Sequence, residues 1–316
     1  MTENLEPSPS HGLPVALQRM WRIFGRTAAL FGAIGCGIIF RQGHVLSFLI
    51  PYMIVLMLFF AFLDMPLGIR TFNSGVWEIL TANVLIAFAA YFVLRQVSRD
   101  LALIAFLTAV TPTATAAPVL VSFLGGRVDY VVGSVVLTNG FMALMLPFAL
   151  PLLVGGDIVI SSWAVLRSVF VIVFLPLALA RLSRLLPAGV YSEICRRKPL
   201  SFYVWVVTLY LVTSKAATFV IEEVKVPGLF LLAIAMSSLV ICAVSFAVGA
   251  LIGGKKFRRE ASQSLGQKNS SLTIWVALTF VSPMAALGPT FYVIWHNLYN
   301  SFQLYLHDAN LKGAAT

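Results

Sequence analysis

Charge is what this sequence has least of. Only 11% of its 316 residues are charged, with 12 acidic side chains against 22 Lys and Arg. A soluble domain carries about 25% charged residues, and no polar stretch here is long enough to form one beside an anchor. Cysteine is scarce too. Cys36, Cys195 and Cys242 are scattered and odd in number, which argues against a disulfide framework and leaves packing as their reading. Paired carboxylates, a His cluster, a Ser-His-Asp set and a phosphate-binding loop are all missing, so nothing points to an enzyme, a resident metal or a cofactor.

What is present is hydrocarbon: 59% of residues are hydrophobic and mean hydropathy is +0.93. This composition predicts an all-α polytopic membrane protein whose principal partner is the lipid bilayer. Ten spans of about 20–25 residues are expected near 21–40, 44–68, 76–95, 101–125, 130–154, 160–185, 201–221, 228–253, 261–283 and 286–306. Polar, Gly-, Pro- or Arg-containing punctuation separates them. In a soluble chain the net charge of +10 would suggest nucleic acid. Here the positive residues gather in loops and read as a topology signal. Fifteen of the 22 Lys and Arg fall on the side of the N-terminus, six on the other, and Lys268 lies inside a span. Both termini are therefore expected in the cytoplasm, at a bacterial inner membrane. Ten spans divide into a cytoplasmic tail (1–20), a five-helix repeat (21–154), a second repeat turned upside down (160–306) and a short tail (307–316).

Two polar stretches interrupt this pattern. One is Ser264-Leu-Gly-Gln-Lys-Asn-Ser-Ser271 in the ninth span. A helix beginning near Ala261 carries Lys268, Asn269 and Ser270 about 10–15 Å into a bilayer, where a cation and unpaired backbone are both costly. The other is Thr111-Pro-Thr-Ala-Thr-Ala-Ala-Pro118 in the fourth span. Its prolines free carbonyls that Thr113 and Thr115 can satisfy. Asn139 follows Pro112 by 27 residues and Asn297 follows Asn269 by 28. Broken segments at matching positions in two halves are the sequence mark of a transporter's midplane site. Two plainer readings stand beside it: a snorkelling or structurally paired Lys268, and two kinked helices with back-bonded threonines.

Gly266-Gln-Lys-Asn-Ser-Ser-Leu272, Trp295-His-Asn297 and Thr111-Pro-Thr-Ala-Thr-Ala-Ala117 resemble the ninth-, tenth- and fourth-helix motifs of the bile acid:sodium symporter family, and the likeness extends over all ten spans. The resemblance implies inverted five-helix repeats, a panel domain of helices 1, 2, 6 and 7, and a core domain of helices 3–5 and 8–10. It further implies that helices 4 and 9 cross at their breaks, that the core moves as an elevator, and that the substrate is a small organic anion, carboxylate or bile-acid-like. A related branch exports arsenite.

The chain departs from the family where sodium binds. Ser264 stands at the motif's glutamate and Lys268 at its glutamine; Ala117-Pro118 replaces Ser-Asn, and Val131 and Val135 fall near polar positions of helix 5. The resemblance therefore implies a sodium-independent transporter with the Lys268 ammonium where sodium would lie. Expected substrate-binding residues are Thr113, Thr115, Lys268, Asn269, Ser270, His296 and Asn297. Ser264, Gln267, Asn83 and Lys268 are expected at the ion-coupling position, with protons as a possible coupled species. His296 is open between a lining and a packing role. Asp64 and Asp129 read as interfacial, Glu222 and Glu223 as a solvated pair. The arsenite branch is the first alternative, although no cysteine lies near either break in sequence. A retinal-type receptor with a Lys268 Schiff base is the second, weakened by ten spans and no assured counter-ion.

Overall fold

The computed structural model describes residues 15–63, 74–154, 161–223 and 226–313. Asp64, which entered the sequence reading, lies outside the described residues, as do 1–14 and 314–316 of the two expected tails.

Thirteen α-helices follow one another in the described residues: α1 (Val15–Ile39), α2 (Ile50–Leu63), α3 (Ser74–Arg95), α4 (Arg99–Val110), α5 (Ala117–Phe123), α6 (Val128–Val154), α7 (Ser162–Leu182), α8 (Ala188–Arg196), α9 (Leu200–Thr218), α10 (Gly228–Gly253), α11 (Arg258–Gly266), α12 (Ser270–Phe280) and α13 (Leu287–Gly313). A 3-10 segment, Arg41–Leu49, leads into α2, and a π turn, Phe219–Glu223, ends α9. Local chemistry sets several boundaries. Ser98 and Ser161 accept the third-residue N–H of α4 and α7, as N-caps do. Pro227 immediately precedes α10.

Among the described residues, six unbroken segments are long and apolar enough to cross a bilayer: 41–63, 75–95, 128–154, 162–185, 200–222 and 228–253. Leu152, Leu229, Leu251 and Trp163 are 70–82% exposed, a hydrophobic surface that water would not tolerate but lipid does. The protein is membrane-embedded. The expected fourth and ninth spans take another form, two short helices each, and α13 covers the expected tenth.

Charges keep to the ends of these elements. Arg41 pairs with Glu222 at 2.9 Å and Arg127 with Asp129 at 2.7 Å, all four at least part-exposed. Asp129 is thus paired with its neighbour at an exposed position. Glu222 is bound to Arg41 rather than merely solvated with Glu223, whose side chain is outside the described set.

Packing joins helices far apart in sequence. α1 packs on α9 and α13, and α2 on both α7 and α9. α7 also packs on α6, α3 packs on α4 and α6, and α10 on α3, α4, α11 and α13. The large buried cluster that includes Phe106, Met142, Leu146 and Tyr292 fills the interior.

Candidate functional site

The site is built from two helix breaks lying across each other. Proline forces the first. Residues before proline are driven from the helical region, and Thr111 is extended at φ −45°, ψ 127°, ending α4 at Val110. Pro118, in the first turn of α5, has the fixed φ that suits a helix start. The second break opens after Gly266, where Gln267 is extended at φ −89°, ψ 109°, and α12 begins at Ser270.

The two extended stretches pair as a minimal antiparallel bridge, Thr113 opposite Lys268. Ala114 N–H donates to the Gln267 carbonyl at 2.8 Å, and Asn269 N–H to the Pro112 carbonyl at 2.7 Å. Backbone that neither break can satisfy within its own helix is satisfied by the other. Side chains take up further free carbonyls. Thr113 Oγ1 donates to Ser264 O at 2.6 Å, Tyr292 Oη to Gly266 O at 2.7 Å, and Thr111 Oγ1 to Leu107 O at 2.8 Å. From α6, Asn139 Nδ2 donates to Thr113 O at 2.9 Å, and Thr138 Oγ1 receives the Thr113 N–H at 3.0 Å.

Lys268 points back into α3 and α4. Its Nζ donates to Asn83 Oδ1 and, at 3.0 Å, to the Ala109 carbonyl. Asn83 Nδ2 in turn holds the Val110 carbonyl at 3.1 Å. The ammonium therefore sits on the negative end of α4's dipole, in a nest of neutral oxygens. It is 3% exposed, so it does not snorkel, and no carboxylate pairs with it among the described residues.

The neighbouring polar atoms are less well occupied. Ser264 Oγ, Gln267 Oε1, Ser270 Oγ, Thr273 Oγ1 and His296 Nδ1 are buried without a protein partner. Asn269 does not cap α12; its amide donates to Asn139 Oδ1 at 3.2 Å. The Ser270 N–H is taken by the Lys268 carbonyl at 2.9 Å, and the partial positive charge of the α12 N-terminus lies beside a bare serine hydroxyl, an arrangement suited to an anion.

Of the residues singled out from sequence, Thr113, Lys268, Asn269, Ser264, Gln267 and Asn83 meet at the crossing, and Ser270 opens α12 directly after it. Thr115 occupies the turn before α5, half-buried. His296 lies against Tyr292, ring centroids 5.6 Å apart. Asn297 is elsewhere: it donates to Val293 O of its own helix at 2.7 Å and faces Leu30 and Ile34 of α1. Asn139, noted from its spacing but not counted as a site residue, is bonded into the crossing through Thr113 O and the Asn269 amide. Cys242, distant from both breaks in sequence, lies beside the Tyr292 hydroxyl and within electrostatic range of Lys268. Ala117 and Val131 share one apolar cluster with Ile79, Ala82 and Leu265, so hydrocarbon fills the region of those two departures from the family.

Compared with known protein families and with curated proteins, the chain matches none.

Proposed function

We propose that the protein is a secondary transporter of a small organic anion, working without sodium, with the Lys268 ammonium as the fixed positive charge. The observation that carries this reading is Lys268 itself, buried where two broken helices cross and bound by Asn83 Oδ1 and the Ala109 carbonyl with no carboxylate partner. Neutral oxygens of this kind would suit a small cation, and the ammonium occupies them instead. An anion at the α12 N-terminus, near Ser270 and Asn269, would add the missing negative charge.

On this reading the chain has ten spans in two inverted repeats. α1, α2, α7 and α9 form the panel, and the remaining membrane helices a core that carries the crossing between two positions. The packing of α1 and α2 on α9, and of α10 on α3, α4 and α11, supports that division. Support for sodium independence comes from the apolar cluster at Ala117 and Val131. The test is uptake of cholate and a panel of monocarboxylates into proteoliposomes, with choline replacing sodium at constant pH. Unchanged uptake by the wild type, and its loss in Lys268→Met, are expected; uptake that needs sodium would refute the reading.

The arsenite alternative gains from Cys242, buried on α10 beside Tyr292, whose hydroxyl binds the Gly266 carbonyl at the second break. Arsenite efflux abolished by Cys242→Ser, with carboxylate uptake absent in the wild type, would favour it. For a retinal-type receptor the neutral surroundings of Lys268 offer no counter-ion; visible absorbance after retinal addition is its test.

A further inference from the structure

We propose that a groove between α10, α11 and α13 binds one anionic phospholipid, with the phosphate at Arg258 and Arg259 and one acyl chain laid along α10 toward Leu239. The groove encloses about 590 Å³, inside the range of roughly 300–1,000 Å³ typical of small-molecule sites. Its lining changes character along its length. Arg258, Arg259, Ser262 and Gln303 form one end, while Leu239, Cys242, Ala243 and Trp295 form the other. Between them Ala247 and Ala250 make a shallow floor, and Phe246 with Tyr299, ring centroids 4.2 Å apart, makes a wall.

Length identifies the ligand class. Leu239 to Ala250 spans eleven helical steps, about 16 Å at 1.5 Å per residue, and one leaflet's hydrocarbon is about half of ~30 Å. A chain entering at the arginines therefore ends near the bilayer midplane. Charge identifies the headgroup. Arg258 and Arg259 are exposed at the start of α11, where Lys255 and Lys256 in the preceding turn add two more exposed cations, and the groove's lining contains no carboxylate. Arg259 is held in place by its bond to the Leu124 carbonyl at 2.7 Å, leaving other guanidinium donors for phosphate oxygens. Basic residues at such a membrane surface favour anionic over zwitterionic lipid.

The experiment uses the whole protein in a neutral detergent. Its melting temperature is followed against dioleoyl-phosphatidylglycerol, dioleoyl-phosphatidylcholine and glycerol phosphate, and native mass spectrometry counts bound lipid. Phosphatidylglycerol is expected to raise the melting temperature saturably with one tight adduct, while the other two do not. Ala247→Trp, which fills the floor from an exposed position, should remove the adduct. Arg258→Gln should weaken it at least tenfold without changing the lipid-free melting temperature. Should the tryptophan variant misfold, Arg258→Gln alone carries the test. Equal shifts from phosphatidylcholine would reduce the groove to ordinary annular contact. A full shift from glycerol phosphate would mean a headgroup site without a chain, and an adduct surviving both substitutions would overturn the assignment. None of these readouts depends on transport.

Discussion

Lys268→Met retains the apolar stem and deletes the only donor shown for Asn83 Oδ1 and the Ala109 carbonyl. A buried acceptor left unpaired costs about 1–3 kcal/mol, offset here by no longer burying a cation, so a modest change in stability is expected beside a large loss of anion binding. Asn139 gives a cleaner stability test. Its amide serves Thr113 O and Val135 O and its oxygen receives Asn269, so Asn139→Ala should cost about 1–3 kcal/mol. Asn297→Ala removes only a bond to its own helix and should stay within about 0.5 kcal/mol. Melting temperatures of the two variants in one detergent decide; equal losses would mean that the crossing does not depend on Asn139. Lys268, Thr113 and Asn269 could be read from sequence because polar residues inside apolar runs must find partners. Cys242 and Tyr292 were missed: Ser238, Cys242 and Ser245 recur at helical spacing on the buried face of α10, a signal that could have marked that face, whereas Tyr292 on α13 reads as one more aromatic in an apolar run.

The broken helices were legible as elements because proline and glycine act locally. Pro112 ends α4 whatever surrounds it. Which helix completes the freed carbonyls depends on the fold, and sequence spacing suggested only part of that set. Gly266 shows the same division. It reads as a helix end, yet its stronger constraint is tertiary: a Cβ there would run into the Phe246 ring, itself packed at a tilt against Tyr299. In an exposed helix Gly→Ala gains about 1 kcal/mol. Here Gly266→Ala should instead lose about 1–3 kcal/mol through overpacking. Adding Phe246→Leu should recover part of the loss, as measured by thermal unfolding of both variants. A stabilised Gly266→Ala would show that α11 is free to move away from α10.

At the scale of the molecule, hydropathy pointed to ten spans; six of them are unbroken apolar helices among the described residues, and the two split ones were visible only as polar interruptions. The packing of α1 on α9, and of α10 on α3 and α4, could not be read from any one segment, because it depends on contacts between spans far apart in sequence. The proposed elevator would move core past panel and carry Lys268 with the crossing. The most direct measurement of the central claim is the affinity of purified protein for an anion that the carboxylate panel identifies, taken in sodium chloride and in choline chloride, for the wild type and Lys268→Met. The account predicts equal wild-type affinities in the two salts and a loss of about 2–5 kcal/mol in the variant, at least about thirtyfold. A tenfold or greater loss on removing sodium, or unchanged affinity in Lys268→Met, would contradict it.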